Sequence, residues 1–343
     1  MTDRSEELLE AVQSARAEGR AVTIAGTGSK AFLAESSVET EHGRLLSTEE
    51  HQGIVDYRPD ELVVTVRSGT PLKLLKQTLA REGQMLPFDP PEFQGLGTIG
   101  GAVASGLAGP GRPWRGGVRD AVLGVKMING LGEALSFGGQ VMKNVAGFDV
   151  ARLQAGAFGS LGVLLEVSLR LLPLPQLEQT RVLERDAEAA LSQLRSWARL
   201  PLPLTGTAIF EGRLHLRLSG SEAAVSAAAE AVGGELGDDS LWAGLRDHSL
   251  PALKSVLLAC AQVPPATAAP AEDLLIEWNG ARRWREASTA AAPYVPFGPD
   301  YGRYRCLTAG GNETLAAYQA RLKAAFDPDH LFNPELTRAD LAA

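Results

Sequence analysis

A chain of 343 residues, 45% apolar and 22% charged, has the balance of a folded globular protein and is long enough for about two domains. Its 33 basic residues against 41 acidic leave a formal charge of −8, and the basic ones form no run, which argues against a nucleic-acid backbone as partner. Two cysteines, Cys260 and Cys306, are too few for a four-thiolate zinc or iron–sulfur site and read most simply as reduced thiols.

The N-terminus is charged, with no apolar segment behind it. Ser5 is expected to cap a helix through Leu8, Leu9 and Val12, with Gly19 beyond its end. Ala21 to Ala25 reads as a buried strand that breaks at Gly26-Thr27-Gly28-Ser29-Lys30. Leu62 to Val66 reads as a second strand. Thr70 is expected to cap the next helix, with Pro71 at its first position, Leu72, Leu75 and Leu79 along one face, and Gly83 at its end. Leu153 to Leu165, the longest apolar stretch, has 13 residues and is interrupted by glycines, too short to span a bilayer. These features lead to the expectation of a soluble, cytoplasmic protein. The strand from Val163 to Leu172 ends at Pro173 and Pro175, where composition changes. Beyond it, Asp186 opens an alanine-rich helix. Ala208–Phe210 and Leu214–Leu218 form a hairpin about Glu211-Gly212, and a second alanine-rich helix covers Ser221 to Ala231. Val263 to Pro270 reads as an exposed loop, Ala281 to Glu286 as an amphipathic surface turn, and Glu313 to Phe326 as a closing helix.

Glycine placement is the strongest signal. Of 37 glycines, 18 fall between Gly95 and Gly162, in a window that also holds strand-like runs such as Ala121–Ile128. Repeated close approach of backbone to a large planar or phosphorylated ligand would require this, and so would a set of tight turns. Gly26-Thr-Gly28-Ser-Lys-Ala31 matches the dinucleotide fingerprint G-x-G-x-x-A. However, the residues behind it are too few for a good crossover helix, and no apolar second strand ending in an acidic residue follows about 20 residues on, so a nicotinamide fold is disfavoured. The loop can still hold phosphate, because successive N–H groups make an anion nest.

At Pro90–Gly109, Val118–Gly124 and Leu161–Glu166 the chain resembles the FAD-binding domain of the vanillyl-alcohol oxidase type. Gly26–Leu33, Pro87–Pro91, Gly106–Trp114 and Val141–Asp149, with Phe326-Asp-Pro and Leu331–Pro334 at the end, extend the resemblance to the family of the FAD-binding E subunit of glycolate oxidase (glycolate dehydrogenase). It implies an α+β fold: a two-part (PCMH-like) FAD-binding domain over 1–174, a smaller antiparallel-sheet cap over 175–300, and a C-terminal segment, 301–343, returning to the FAD domain. By the same resemblance, Gly26, Thr27, Gly28, Ser29 and Lys30 would hold the FAD pyrophosphate. Pro90, Gly97, Thr98, Ile99, Gly100 and Gly101 would pass against flavin and pyrophosphate, with Ala104, Ser105 and Gly106 continuing the contact. Gly162 and Val163 would touch the adenine side, and Asn333 would close the site. No histidine lies in the first loop, so FAD is expected to be non-covalent.

Oxidising a 2-hydroxy acid requires a cation for its carboxylate and a base near its hydroxyl. The five histidines (His42, His51, His215, His248 and His330) are isolated, so no metal site is expected. His215 reads as part of a solvated strand face and His330 as a helix C-cap. Arg303 and Arg305, within Tyr301–Arg305, are the candidate substrate residues, and no complete catalytic set can be assembled. Two functions stay open: an FAD-binding subunit of a glycolate dehydrogenase working with a homologous FAD subunit and an iron–sulfur subunit, at the membrane through those partners if at all, or a self-sufficient 2-hydroxy-acid dehydrogenase. In the first, this chain's flavin could serve structure only.

Overall fold

The first helix, α1 (Ser5–Ala17), buries Leu8, Val12 and Ala15, which a 3.6-residue period places on one face. In the computed structural model, which describes residues 2–31, 44–140, 148–254, 258–269, 271–290, 293–297 and 313–333, the chain divides into two compact units. One comprises 1–107, 117–173 and 307–343, and the other 108–116 and 174–306.

In the first unit, β1 (Val22–Ala25) pairs in parallel with β2 (Arg44–Ser47). The polar sequence had hidden β2, since only Leu46 of its four residues is buried. A five-stranded antiparallel sheet follows, built from β3 (Ile54–Arg58), β4 (Val63–Arg67), β5 (Val122–Ile128), β6 (Ala134–Gly138) and β7 (Val163–Arg170), in the order β3-β4-β7-β5-β6. Helices α2 (Leu72–Arg81) and α3 (Ile99–Ser105) pack on it through Leu72, Leu75, Leu79, Ile99, Ala102 and Val103. A second core joins Leu8 and Val12 to Val22, Ile128, Val163, Leu165 and Phe332, so β7 is buried on both faces, in keeping with its consecutive apolar residues Val163–Leu165.

Two expected caps differ in detail. Asp3, one residue before the cap residue Arg4, accepts the Ser5 N–H at 3.0 Å, and that bond holds its carboxyl well below the usual range. Helix α2 begins at Leu72 with Pro71 in the cap position. The Thr70 hydroxyl accepts the Gly53 N–H at 2.9 Å and so is committed to a neighbouring loop.

The second unit is an antiparallel sheet with its two longest described helices on one face and the short helix Ser240–Arg246, through Trp242, on the other. Its strands are β8 (Leu177–Glu184), β9 (Leu204–Phe210), β10 (Arg213–Gly220), β11 (Leu258–Gln262), β12 (Asp273–Glu277), β13 (Arg282–Glu286) and β14 (Val295–Phe297). They run β8-β10-β9-β12-β13-β11-β14, with a two-residue edge at Glu235–Leu236. Helices α4 (Ala187–Trp197) and α5 (Glu222–Val232), capped by Asp186 and Ser221, bury Leu191, Leu194 and Val225 against Ile209, Leu214, Leu216 and Ile276. The hairpin turns at Glu211 (φ 51°) and Gly212 (φ 72°), the pair of positive φ values that a two-residue type I′ turn needs.

The surface turn expected at Ala281–Glu286 is instead the interior strand β13, with Arg282, Arg283 and Arg285 at most 9% exposed. Buried Asp273 explains two of the three: it accepts from Arg285 at 2.9 Å and Arg283 at 3.4 Å, and Arg283 also donates to the carbonyls of Gly280 and Thr267. Charge in a sequence marks a surface only while its partners are unknown. After β14, α6 (Glu313–Phe326) belongs to the first unit. No helix among the described residues is long and apolar enough to cross a membrane.

Candidate functional site

The glycine loop after β1 and the loop leading into α3 meet. An added Cβ on Gly26 would lie 3.0 Å from Thr98 Oγ1, so the absence of a side chain there lets the loops touch. The Thr27 hydroxyl donates to the Leu96 carbonyl. Lys30 Nζ lies 5.4 Å from the Phe93 ring centroid and 3.9 Å from where a Gly101 Cβ would stand. Sequence distances of about 70 residues are thereby closed around one cradle.

The two loops contribute different things. In the first, the N–H groups of Thr27, Gly28 and Ser29 donate to no acceptor among the described residues, and Gly28 is exposed at φ +74°. Three successive donors about a left-handed residue form a nest for an anion. In the second loop most N–H groups are already used. Gly97 donates to Glu92, Ile99 to Thr70, Gly100 to the Ser68 carbonyl at 2.7 Å, and Gly101 to Thr98 Oγ1 at 3.2 Å, while the Thr98 N–H donates to no acceptor among the described residues. This loop therefore supplies mainly close approach, with one donor at Thr98.

Its glycines divide in the same way. A Cβ on Gly97 would meet Leu72 Cδ1 at 2.7 Å, and one on Gly100 would meet Ser68 Cβ at 2.8 Å, so packing inside the protein accounts for both. A Cβ on Gly101 meets nothing closer than Thr98 Oγ1 at 3.3 Å, and one on Gly28 meets nothing within 4 Å. Gly28 and Gly101 are thus the two of these glycines that packing inside the protein does not account for. An open nest of successive N–H groups, with a lysine in the same loop, fits a diphosphate.

The remaining predicted residues are half-buried or turned into the protein. Ala104 and Gly106 are half-buried. Pro90, Ile99 and Ser105 are buried, and Ile99 is part of the core under α3. Gly162 and Val163 are buried too: a Gly162 Cβ would stand 2.4 Å from the Ile128 carbonyl, and Val163 joins the core beneath α1. Asn333 does not present its amide outward. Its Oδ1 accepts the Ile24 N–H at 2.9 Å and its Nδ2 donates to the Phe158 carbonyl at 2.6 Å. Arg303, Arg305, the Val141–Gly147 part of its motif, His42 and Cys306 lie outside the described residues.

The histidines have structural surroundings. His51 is 1% exposed; its Nδ1 accepts the Arg4 N–H while Nε2 faces the Leu165 carbonyl at 3.1 Å, and burial holds it below the usual imidazole range. His215 is half-buried rather than on a solvated face, and burial lowers it also. In the second unit, sequence reasoning missed a buried stack. Arg282 lies between the rings of Trp278 (4.6 Å) and Trp284 (4.4 Å), His248 meets the Trp284 ring edge-on at 4.9 Å, and Trp284 Nε1 donates to Glu277 Oε2 at 2.6 Å. Burial raises Glu277 despite Arg282, and lowers His248 to about 3. The signal was present in the spacing Glu277-Trp278…Arg282-x-Trp284, where alternation places every second side chain on one strand face.

The FAD binding domain family matches residues 2–138. The chain is 40% identical to the glycolate oxidase subunit GlcE of Escherichia coli, over 99% of each chain. It is 30% identical to the glycolate oxidase subunit GlcD of Bacillus subtilis, over 46% of this chain and 34% of that one. Among solved structures, an alkyldihydroxyacetonephosphate synthase superposes with a TM-score of 0.66 at 14% identity, covering 96% of this chain and 75% of that one, a likeness of fold.

Proposed function

The chain belongs to the family of the glycolate oxidase subunit GlcE, and from that footing we propose that it is the FAD-binding subunit of a glycolate (2-hydroxy acid) dehydrogenase complex. The observation that carries the reading is the open nest of Thr27, Gly28 and Ser29, in the loop that also brings Lys30 Nζ to 3.9 Å from where a Gly101 Cβ would stand. These residues would hold the pyrophosphate, with Gly26, Gly97 and Gly100 allowing the loops to close and Ile99, Gly162, Val163 and Asn333 supporting them from inside the protein. Bound FAD would supply a two-electron acceptor within the complex that oxidises glycolate to glyoxylate. The first loop offers Ser29 and Lys30 but no histidine, in keeping with a dissociable cofactor.

The electrons must then leave. Two cysteines cannot hold an iron–sulfur cluster by themselves, so the reading includes an iron–sulfur subunit for electron exit and a homologous flavoprotein subunit for substrate chemistry, in the cytoplasm. Arg303 and Arg305 are the residues to test for the substrate carboxylate if this chain does the chemistry. The deciding experiment is an anaerobic visible spectrum of the purified chain before and after glycolate. A flavin band that persists with glycolate and bleaches when the homologous subunit is added is the expected result. Bleaching by glycolate alone would assign the whole oxidation to this chain, and no flavin band after FAD is supplied would refute the cofactor assignment.

A further inference from the structure

We propose that Lys323, Asp327 and Asn333 are positioning residues that set the spacing of the two cofactor loops, an inference that rests on the FAD reading above. Asp327 is fully buried. Its Oδ1 accepts the Leu331 N–H at 2.8 Å, and its Oδ2 accepts the Phe332 N–H at 2.9 Å and Lys323 Nζ at 2.6 Å. Lys323, 2% exposed, spends its other two protons on the carbonyls of Ser160 (2.7 Å) and Phe332 (2.9 Å). The pair thus folds residues 327–332 into a turn in which the Lys323 ammonium and both Asp327 oxygens have partners.

That turn delivers residues 331–333 alongside β1. Val22 N–H donates to the Leu331 carbonyl at 2.7 Å, Asn333 N–H to the Val22 carbonyl at 2.9 Å, and Ile24 N–H to Asn333 Oδ1. β1 runs directly into the Gly26–Lys30 nest. The other arm of Asn333 holds the Phe158 carbonyl, while Phe158 N–H donates to Ala104 at 2.8 Å and Gly156 N–H to Val103 at 3.0 Å, at the end of α3. One side chain therefore bonds on one side to the strand that feeds the first loop and on the other to the segment that anchors the second. Phe158 and Asn333 stand at φ 51° and 41°, left-handed conformations that persist only where surroundings over-determine them. Replacing a buried ion pair by apolar groups is often neutral for stability, so specific geometry is the better account of what this network provides.

The test uses the full chain without flavin, titrated with FAD by quenching of flavin fluorescence and melted by circular dichroism. Asn333→Ala removes both arms and is expected to weaken FAD binding about ten- to hundredfold. Asn333→Asp keeps the acceptor for Ile24 and loses the donor to Phe158, so it should fall between wild type and Asn333→Ala, and it carries the test if the alanine variant does not fold. Val64→Ala, a core truncation in β4, serves as the control for lost stability. Wild-type affinity in both Asn333 variants would overturn the proposal. So would an equal loss of affinity in Val64→Ala at matched melting temperature. Failure of the wild-type chain to bind FAD would instead overturn the functional reading itself, and this proposal with it.

Discussion

Alanine at two adjacent glycines should have opposite consequences. At Gly100 the new methyl would lie 2.8 Å from Ser68 Cβ and 2.9 Å from the Ser68 carbonyl oxygen, to which the Gly100 N–H already donates at 2.7 Å. Neither neighbour is a flexible chain end, so α3 must shift away from the sheet, an overpacking cost of about 1–3 kcal/mol. At Gly101 the backbone is helical and the closest contact is 3.3 Å to Thr98 Oγ1. There the gain of about 0.5–1 kcal/mol from a stiffer unfolded chain roughly offsets a slight crowding, and stability should change by less than about 1 kcal/mol. Its methyl, however, would stand 3.9 Å from Lys30 Nζ, and a phosphate oxygen held by that ammonium would have to give way to it, which should weaken FAD about ten- to hundredfold. Denaturant melts of the flavin-free chain and FAD titration measure the two effects separately. Gly101→Ala with wild-type affinity would show that phosphate does not lie beside Gly101 and Lys30, and Gly100→Ala with wild-type stability would refute the packing account.

Lys30→Met should lower FAD affinity about tenfold and flatten its salt dependence, read from titrations at two ionic strengths. His248 is held at about 3 against an ordinary 6.5, so its stabilisation is complete above pH 6.5 and is lost as pH falls toward 3, by at most about 1.4 kcal/mol per pH unit. His248→Asn, which suits the φ of 51° there, should flatten that acid limb in urea melts at stepped pH; an unchanged slope would assign it to other groups. Glu211→Asn in the β9–β10 turn should raise stability by about 0.5–1 kcal/mol, checked by thermal melting, because asparagine tolerates the positive φ that glutamate is forced to adopt.

Local elements were legible where one rule governed them. Asp186 and Ser221 accept N–H groups at 2.8 and 3.3 Å as caps should, and the Glu211-Gly212 turn needed only its two residues and flanking alternation. The cofactor loops were legible as glycine clusters, but which glycine serves a ligand was not. Gly97, Gly100 and Gly162 face Leu72, Ser68 and Ile128, each at least 25 positions away in the chain, and only those neighbours separate packing from binding. β2 was missed because a strand with one buried residue in four carries almost no hydrophobic period.

The sequence by itself determined the periodic helices, the hairpin and the glycine-rich loops, because each depends on residues within a few positions of one another, and the kind of cofactor came from the resemblance of those loops to a known family. Tertiary structure alone decided that Arg282, Arg283 and Arg285 are interior, that Asn333 clamps backbone instead of facing outward, and that Thr27 to Ser29 keep their donors free. Whether a charge is buried or an N–H is spent depends on the partner that folding brings to it. Those partners (Asp273 for two of the arginines, Ile24 and Phe158 for Asn333) come from parts of the chain whose proximity no local pattern encodes.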